Sequence, residues 1–303
     1  MSSKNRKRVL VIAHDAGGTE VIAGYIRTHA KQYDFCSYIA GPAVRIFRRE
    51  HLPFTTIKDG PKQLGSIVAR HRDAAFALLG TGWMTTIEAD ALVKTKQSGL
   101  KTVVYLESWT DYRERFGYPK QDWRNKLPDE IWVGDEYAQQ LATNLLVPYT
   151  SVRFVRNQYL VDIKKRFNLL QRGAAQPTAL LFLSDAVPEA RRLFAALLFG
   201  LSLSENRDLY VLLRFHPADK RSRYDKIIQR YRGQVRVQKS RDSDIVRDLL
   251  MAKVVVGTES VAMVPAALVG KKTINVVPSR RKSILPFPQI ARTRSVREAL
   301  RLI

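Results

Sequence analysis

Short apolar runs alternate with longer segments of helical spacing along most of the chain. Residues 8–13 are apolar from Val9 onward and predict a first strand, and residues 19–31 predict a helix. The loop His14-Asp15-Ala16-Gly17-Gly18 joins the two. Further strands are predicted at 35–40, 54–57, 74–79, 102–106, 130–133 and 152–155, followed by a helix at 158–171. That helix runs into Gly173-Ala174-Ala175-Gln176-Pro177, a small-residue stretch that predicts a linker.

A second series begins beyond it. A strand at 179–183 ends in Ser184-Asp185; a helix at 188–201, a strand at 208–215, a helix at 223–231, a strand at 235–238 and a helix at 243–251 follow. Val254-Val255-Val256 predicts a buried strand, Gly257-Thr258-Glu259-Ser260 a tight turn, and 261–269 an apolar helix closed by Gly270. A strand at 273–277 and a helix at 295–303 complete the series. Strands separated by helices predict parallel βαβ units. The expected class is therefore α/β, with two Rossmann-like parallel-sheet domains, residues 1–172 and 178–303, facing a cleft at the carboxyl ends of their strands.

Composition narrows the classes. A chain of 303 residues, 45% apolar, buries one large or two medium cores. The single Cys36, in an apolar stretch, excludes an internal disulfide framework and predicts a buried structural thiol in a reducing compartment. The start of the chain is basic, but the apolar run 9–13 is too short for a signal segment, so a cytoplasmic protein without a spanning helix is expected. The net charge of +23 attracts nucleic acid, anionic lipid or nucleotide-bearing substrates; a merely solvated basic surface is the alternative. No nucleic-acid module accompanies the charge, which argues against nucleic acid as the partner. Zinc spacing, a Walker loop, HExxH and GxSxG are absent from the sequence, so no metal site is expected.

Two stretches carry candidate chemistry in the second half. The strand 208–215 delivers Arg214, His216 and the chain-stopping Pro217 to a sheet edge. The hydroxyl turn Thr258-Glu259-Ser260 stands between a strand and a helix start, where unpaired amides favour an anion. A strand-ending turn with a satisfied histidine is the plainer reading of His216-Pro217. In the first half, the glycines of the loop 14–18 let backbone approach a ligand closely, although the pattern is not G-x-G-x-x-G.

These stretches carry a resemblance. The His-Pro pair after one strand, with the GTES turn, small-residue helix and Gly270-Lys271 after another, resembles the GT-B glycosyltransferase architecture. The C-terminal half is similar to CDP-glycerol glycerophosphotransferases and bacterial polysialyltransferase-like enzymes, and more loosely to UDP-N-acetylglucosamine 2-epimerases. The motifs cover only Arg214–Pro217 and Gly257–Lys271. The resemblance implies a metal-independent transfer of a sugar, or a sugar-phosphate-like unit, from a nucleotide donor that is substrate rather than cofactor. The implied acceptor is an anionic glycan or lipid-linked chain of surface-polysaccharide synthesis, reached at the inner membrane face. An epimerase or hydrolase on the same scaffold, and a non-catalytic polyanion binder, are the alternatives. Relatives often carry an acid partway along the helix after the serine turn; Pro265 stands there, and Glu259 is the only acid nearby.

On this reading Ser184, Arg214, His216, Thr258 and Ser260 hold the departing diphosphate, and Glu259 lies in the same turn. Asp15 or His14 is placed as the base that takes the acceptor proton, unless Asp15 only caps a turn or helix. Glu107 and Asp135, at the ends of later strands, are rivals. The segment 107–129 interleaves Trp109, Tyr112, Phe116, Tyr118 and Trp123 with cations, which suits sugar stacking on an acidic acceptor, single-stranded nucleic acid, or a packed excursion over the sheet. Gly80-Thr81-Gly82-Trp83 either lines the cleft or turns the chain.

Overall fold

The computed structural model describes residues 6–83, 85–185, 187–203, 209–217, 219–241, 244–277 and 283–303. Most of the basic N-terminal stretch, the first residue of the expected strand 208–215 and Ser243 lie outside them. The chain divides into two compact units, Met1–Tyr159 and Leu160–Ile303.

In the first unit, the described strands are β1 (Lys7–Ala13), β2 (Tyr33–Ile39), β3 (Thr55–Thr56), β4 (Phe76–Leu79), β5 (Thr102–Leu106), β6 (Glu130–Val133) and β7 (Ser151–Phe154). They form one parallel sheet in the order β3-β2-β1-β4-β5-β6-β7. The crossovers are α1 (Ala16–His29), α2 (Ala43–Arg49), α3 (Leu64–Arg70), α4 (Ile87–Gln97) and α5 (Glu136–Leu146). The apolar positions of β1 face Val21 and Ile22 of α1 and Phe47 of α2 in one core cluster, so the alternation in sequence is the alternation of sheet and covering helix. Because β1 pairs with both β2 and β4, the strand order reverses beside it. Ligands bind at such a point in doubly wound sheets.

The second unit repeats the plan. α6 (Gln158–Gln171) leads to β8 (Ala179–Leu183), α7 (Pro188–Ser202), β9 (Tyr210–Arg214), α8 (Asp225–Arg230), β10 (Val237–Lys239) and α9 (Ile245–Met251). β11 (Ala252–Gly257), α10 (Met263–Leu268), β12 (Lys272–Val276), β13 (Ile290–Thr293) and α11 (Val296–Arg301) follow. All six strands are parallel, in the order β10-β9-β8-β11-β12-β13, with the reversal beside β8. Phe182, Phe194, Leu197, Val256 and Ile274 are buried together in its core.

Several boundaries differ from the sequence reading for identifiable reasons. α1 starts at Ala16, so Gly17 and Gly18 are helical rather than looped. The expected helix 261–269 contracts to the six residues of α10, preceded by turns in which the Ser260 and Val261 carbonyls accept from Met263 and Val264. Pro265 falls in the first turn of α10, where a missing N–H leaves no intrahelical bond unmade. β13 is too short and too polar for its periodicity to announce it. α6 counts almost wholly with the second unit: Phe167 is buried under Lys271, whose Nζ lies 5.3 Å from its ring, and Arg166 pairs with Asp244. The expected linker 173–177 lies at the far end of that helix. Cys36, on β2, is half-buried rather than buried, and burial followed by Asp34 pushes its thiol pKa up.

Candidate functional site

The carboxyl edge of the first sheet gathers acids around the reversal point. β1 ends into His14 and Asp15, β4 into Gly80–Trp83, and β5 into Glu107. Asp15 occupies the N-cap position of α1 with extended backbone, yet its side chain makes no capping bond; it is the carbonyl that receives Thr19 Oγ1 at 2.5 Å. Its carboxylate lies against Gly82, where a methyl group would come within 2.9 Å of Cγ. His14 is buried, its Nδ1 has no hydrogen-bond partner among the described residues, and it lies 3.8 Å from Asp15 Oδ1.

Glu107 packs against the first turn of α1, with Cγ 3.1 Å from where a Gly17 methyl would stand. Only a helix start without side chains admits a carboxylate there, and the unpaired amides favour its charge. Arg115 grips it in a fork, Nη2 to Oε1 at 3.0 Å and Nη1 to Oε2 at 3.2 Å. The same guanidinium donates to Ser108 Oγ at 2.7 Å and to the Thr81 hydroxyl, and it lies beneath the exposed Trp83 ring. The Gly80–Trp83 stretch is thus a wall of this edge. Asp135 is committed elsewhere: it caps α5 through the Ala138 amide at 2.9 Å and accepts from Trp109 Nε1 at 2.8 Å.

Sequence reasoning missed the residue beneath these groups. Glu88, from the first turn of α4, is buried and receives the His14 amide on Oε1 at 2.9 Å. Burial, with only partial relief from that amide and with Asp15 and Glu107 close by, pushes its carboxyl up to about 8. Methyl groups on Gly80 or Gly82 would meet its two oxygens at 2.3 and 2.5 Å. The Gly-x-Gly spacing before an acid-bearing helix was the available signal.

The aromatic segment 107–129 resolves as a packed excursion. Trp109, Tyr112, Phe116 and Trp123 are buried, while Tyr118 stands exposed. Arg113 lies 5.9 Å from the Tyr118 and Trp123 rings, and Arg124 lies 5.3 Å from the Trp123 ring and 4.6 Å from that of Tyr149 beyond the segment, so these two cations stack on the protein's own aromatics.

The carboxyl edge of the second sheet is built differently. Ser184, directly after β8, receives the His216 amide on Oγ at 2.9 Å and donates to Asp219 Oδ2 at 2.9 Å, while its own amide donates to the Arg214 carbonyl. This knits the His-Pro turn to the reversal point. Arg214 Nη1 donates to Asp248 Oδ2 at 2.7 Å, and Asp248, 1% exposed, also accepts from Ser240. Its nominated guanidinium is therefore anchored in the protein.

After β11, Thr258 and Ser260 are buried at the edge. Glu259 between them has φ +52°, a left-handed conformation unusual for a side-chain-bearing residue. Its amide donates to Asn275 Oδ1 at 2.8 Å, and its carboxylate accepts from Asn275, Ser283 and the Ile284 amide. This clamp holds the strained turn, so the acid nominated beside the donor ties the turn to β12 and to the chain after 282. Glycine at 257 relieves close packing, since a methyl there would stand a tight 3.2 Å from the Leu183 carbonyl oxygen.

Among the described residues, no group of three or more His, Cys, Asp or Glu is disposed to hold a metal ion. No described helix is long and apolar enough to cross a membrane.

No family model and no curated protein matches the sequence. Solved structures do. UDP-GlcNAc 2-epimerase from Neisseria meningitidis, bound to UDP-GlcNAc, superposes with a TM-score of 0.67 at 12% identity, covering 92% of this chain and 84% of that one. HepE of Anabaena, in complex with UDP, gives 0.63 at 10% identity, with 97% and 89% covered. A glycosyltransferase from Rickettsia africae gives 0.54 at 11% identity, with 90% and 79% covered. The fold is the two-domain Rossmann-like GT-B fold that the sequence resemblance implied.

Proposed function

We propose that the protein is a GT-B-type enzyme that binds a nucleotide-linked sugar on the hydroxyl edge of its second sheet and acts on it with the acids of the first. The observation that carries this reading is the edge at the β8 reversal, where Ser184 and His216 are hydrogen-bonded after β8 and β9 and Thr258 and Ser260 follow the neighbouring β11, in a fold that other proteins use with UDP. Hydroxyls and amides at a strand-to-helix turn bind a diphosphate without a positive side chain in contact. Arg214 acts one step back, by holding the His-Pro strand end to α9.

In the first unit, Asp15 and Glu107 are the acids presented at the edge, and Glu88 fixes the His14-Asp15 backbone from below. Glu107, tied to Arg115, keeps a fixed carboxylate orientation. Asp15, without a capping bond, is the better-placed proton acceptor for an attacking hydroxyl. The transferred group is a sugar or sugar-phosphate-like unit, and the acceptor is an anionic glycan or lipid-linked chain, which a chain of net charge +23 attracts.

The test is incubation of purified protein with UDP-, CDP- and GDP-sugars, with and without a phosphorylated lipid or oligosaccharide acceptor, following release of nucleoside diphosphate. Release that depends on acceptor and falls at least about a hundredfold in Asp15→Asn, the loss typical of a missing general base, supports transfer. Acceptor-independent conversion of the sugar supports the epimerase or hydrolase alternative. Absence of turnover and of binding for every nucleotide sugar contradicts both.

A further inference from the structure

At the opposite end of the first sheet, the amino ends of the strands surround a cavity of about 560 Å³. Lys7 opens β1, Tyr33 opens β2, Phe76 opens β4 and Glu130 opens β6, and all four line it. It lies within the first unit and shares no residue with the acid edge. A well-packed sheet end has no need of such a hollow, since interiors pack to about 0.75 of their volume and a water needs only about 30 Å³. Ligand pockets occupy about 300–1,000 Å³.

The lining has two parts. The floor is aromatic and continuous: Tyr25 to Trp132 at 4.8 Å between centroids, Trp132 to Phe76 at 5.7 Å, and Phe76 to Tyr33 at 5.7 Å. The Trp132 N–H is already donated to Glu130 Oε1 at 2.9 Å, and Trp132 and Phe76 are buried, so they back the floor while the half-buried Tyr33 presents its ring at the surface. The rim is cationic. Lys7, Lys101, Arg153 and Arg156 stand against the single carboxylate of Glu130, which pairs with Lys101 at 2.8 Å and Arg153 at 3.7 Å. The rim cations are exposed, and the Arg153 side chain is 66% accessible.

We propose that this cavity is a second ligand site, binding a small ring compound that bears a phosphate, with the ring against Tyr33, which the buried Phe76 and Trp132 support from behind, and the phosphate at the Lys7–Arg153 rim. Aromatic faces take either a sugar ring or a base, and mobile cations on the rim take the anion. Glu130 keeps two of the cations in place and admits one anionic group rather than a polyanion.

The experiment is calorimetric titration of the full chain with glucose 6-phosphate, with UMP and with inorganic phosphate, repeated on Lys7→Glu/Arg153→Glu, on Tyr33→Ala and on Ser260→Ala. The cavity predicts a single site for glucose 6-phosphate, or a site for UMP additional to the one that Ser260 lines, about tenfold or more tighter than for inorganic phosphate. The rim double variant weakens it by about tenfold or more, Tyr33→Ala weakens the ring phosphate but not inorganic phosphate, and Ser260→Ala leaves it unchanged. Saturation also changes tryptophan emission in the parent and not in Trp132→Phe. The glucose 6-phosphate and UMP arms separate a sugar from a base as the ring. Equal binding of all three probes, parent-like binding by both pocket variants, or binding abolished by Ser260→Ala alone overturns the proposal.

Discussion

The two sheets share one strand order and end in opposite chemistry. At the first carboxyl edge, Asp15 and Glu107 lie close to the buried Glu88, Arg115 grips Glu107, and the glycines at 17, 80 and 82 leave room for the carboxylates. At the second, the charged residues nominated from the strand ends are tied into the protein, Arg214 to Asp248 and Glu259 to Asn275, Ser283 and Ile284, and Asp219 accepts from Ser184. What the second edge presents is hydroxyl and imidazole. Acids close to one another shift each other's proton affinity and suit proton transfer, whereas neutral donors on rigid turns suit anion binding. On the proposed function the same topology is divided between chemistry and grip.

Substitutions that break each edge should differ in kind. The largest effect belongs to the anchored arginine of the second unit: Arg214→Met removes the cation from a buried carboxylate and should cost about 3–5 kcal/mol in urea unfolding, with binding lost only through unfolding. A variant that stayed fully stable would show that Ser240 and the other neighbours of Asp248 suffice to hold it. In the first unit, Gly80→Ala drives a methyl onto Glu88 Oε1 and should cost about 1–3 kcal/mol. Glu259→Gln, which replaces an acceptor oxygen with a donor facing the Ile284 amide or Ser283, should cost about 1–3 kcal/mol.

A subtler contrast lies in pH. Glu88 keeps its proton up to about pH 8 in the folded chain, but releases it near 4.5 when unfolded. The folded state therefore binds more protons between those values, and stability falls as pH rises through that window. Glu88→Gln, which mimics the protonated form, should flatten the melting-temperature profile between about pH 4.5 and 8 and exceed the parent above pH 8. An unchanged slope would show that Glu88 is ionised in the fold.

The strands 102–106, 130–133 and 179–183 were legible to the residue, because buried parallel strands are continuous apolar runs bounded by breakers. The site was legible only where residues follow a strand directly, as Asp15, Glu107, Ser184 and His216 do. Their partners were not: Glu88 and Arg115 come from a helix and a loop brought back by tertiary contacts, and Asp248 and Asn275 look like ordinary surface or strand residues in sequence. Knowing a strand end therefore located Arg214 but not its commitment to Asp248. The aromatic segment stayed ambiguous for a related reason, since stacking on sugar and packing in a core use the same residues, and burial of Trp109, Tyr112, Phe116 and Trp123 fits the packed excursion among its readings.

The most direct measurement is the affinity of UDP for the parent, for Ser260→Ala and for Glu107→Gln by titration calorimetry. The division between grip and chemistry predicts one UDP per chain, weakened about tenfold or more by Ser260→Ala, since a hydrogen bond to a charged group is worth about 1.5–3 kcal/mol, and unchanged by Glu107→Gln. UDP that fails to bind, or that loses affinity with Glu107→Gln and not with Ser260→Ala, would contradict it.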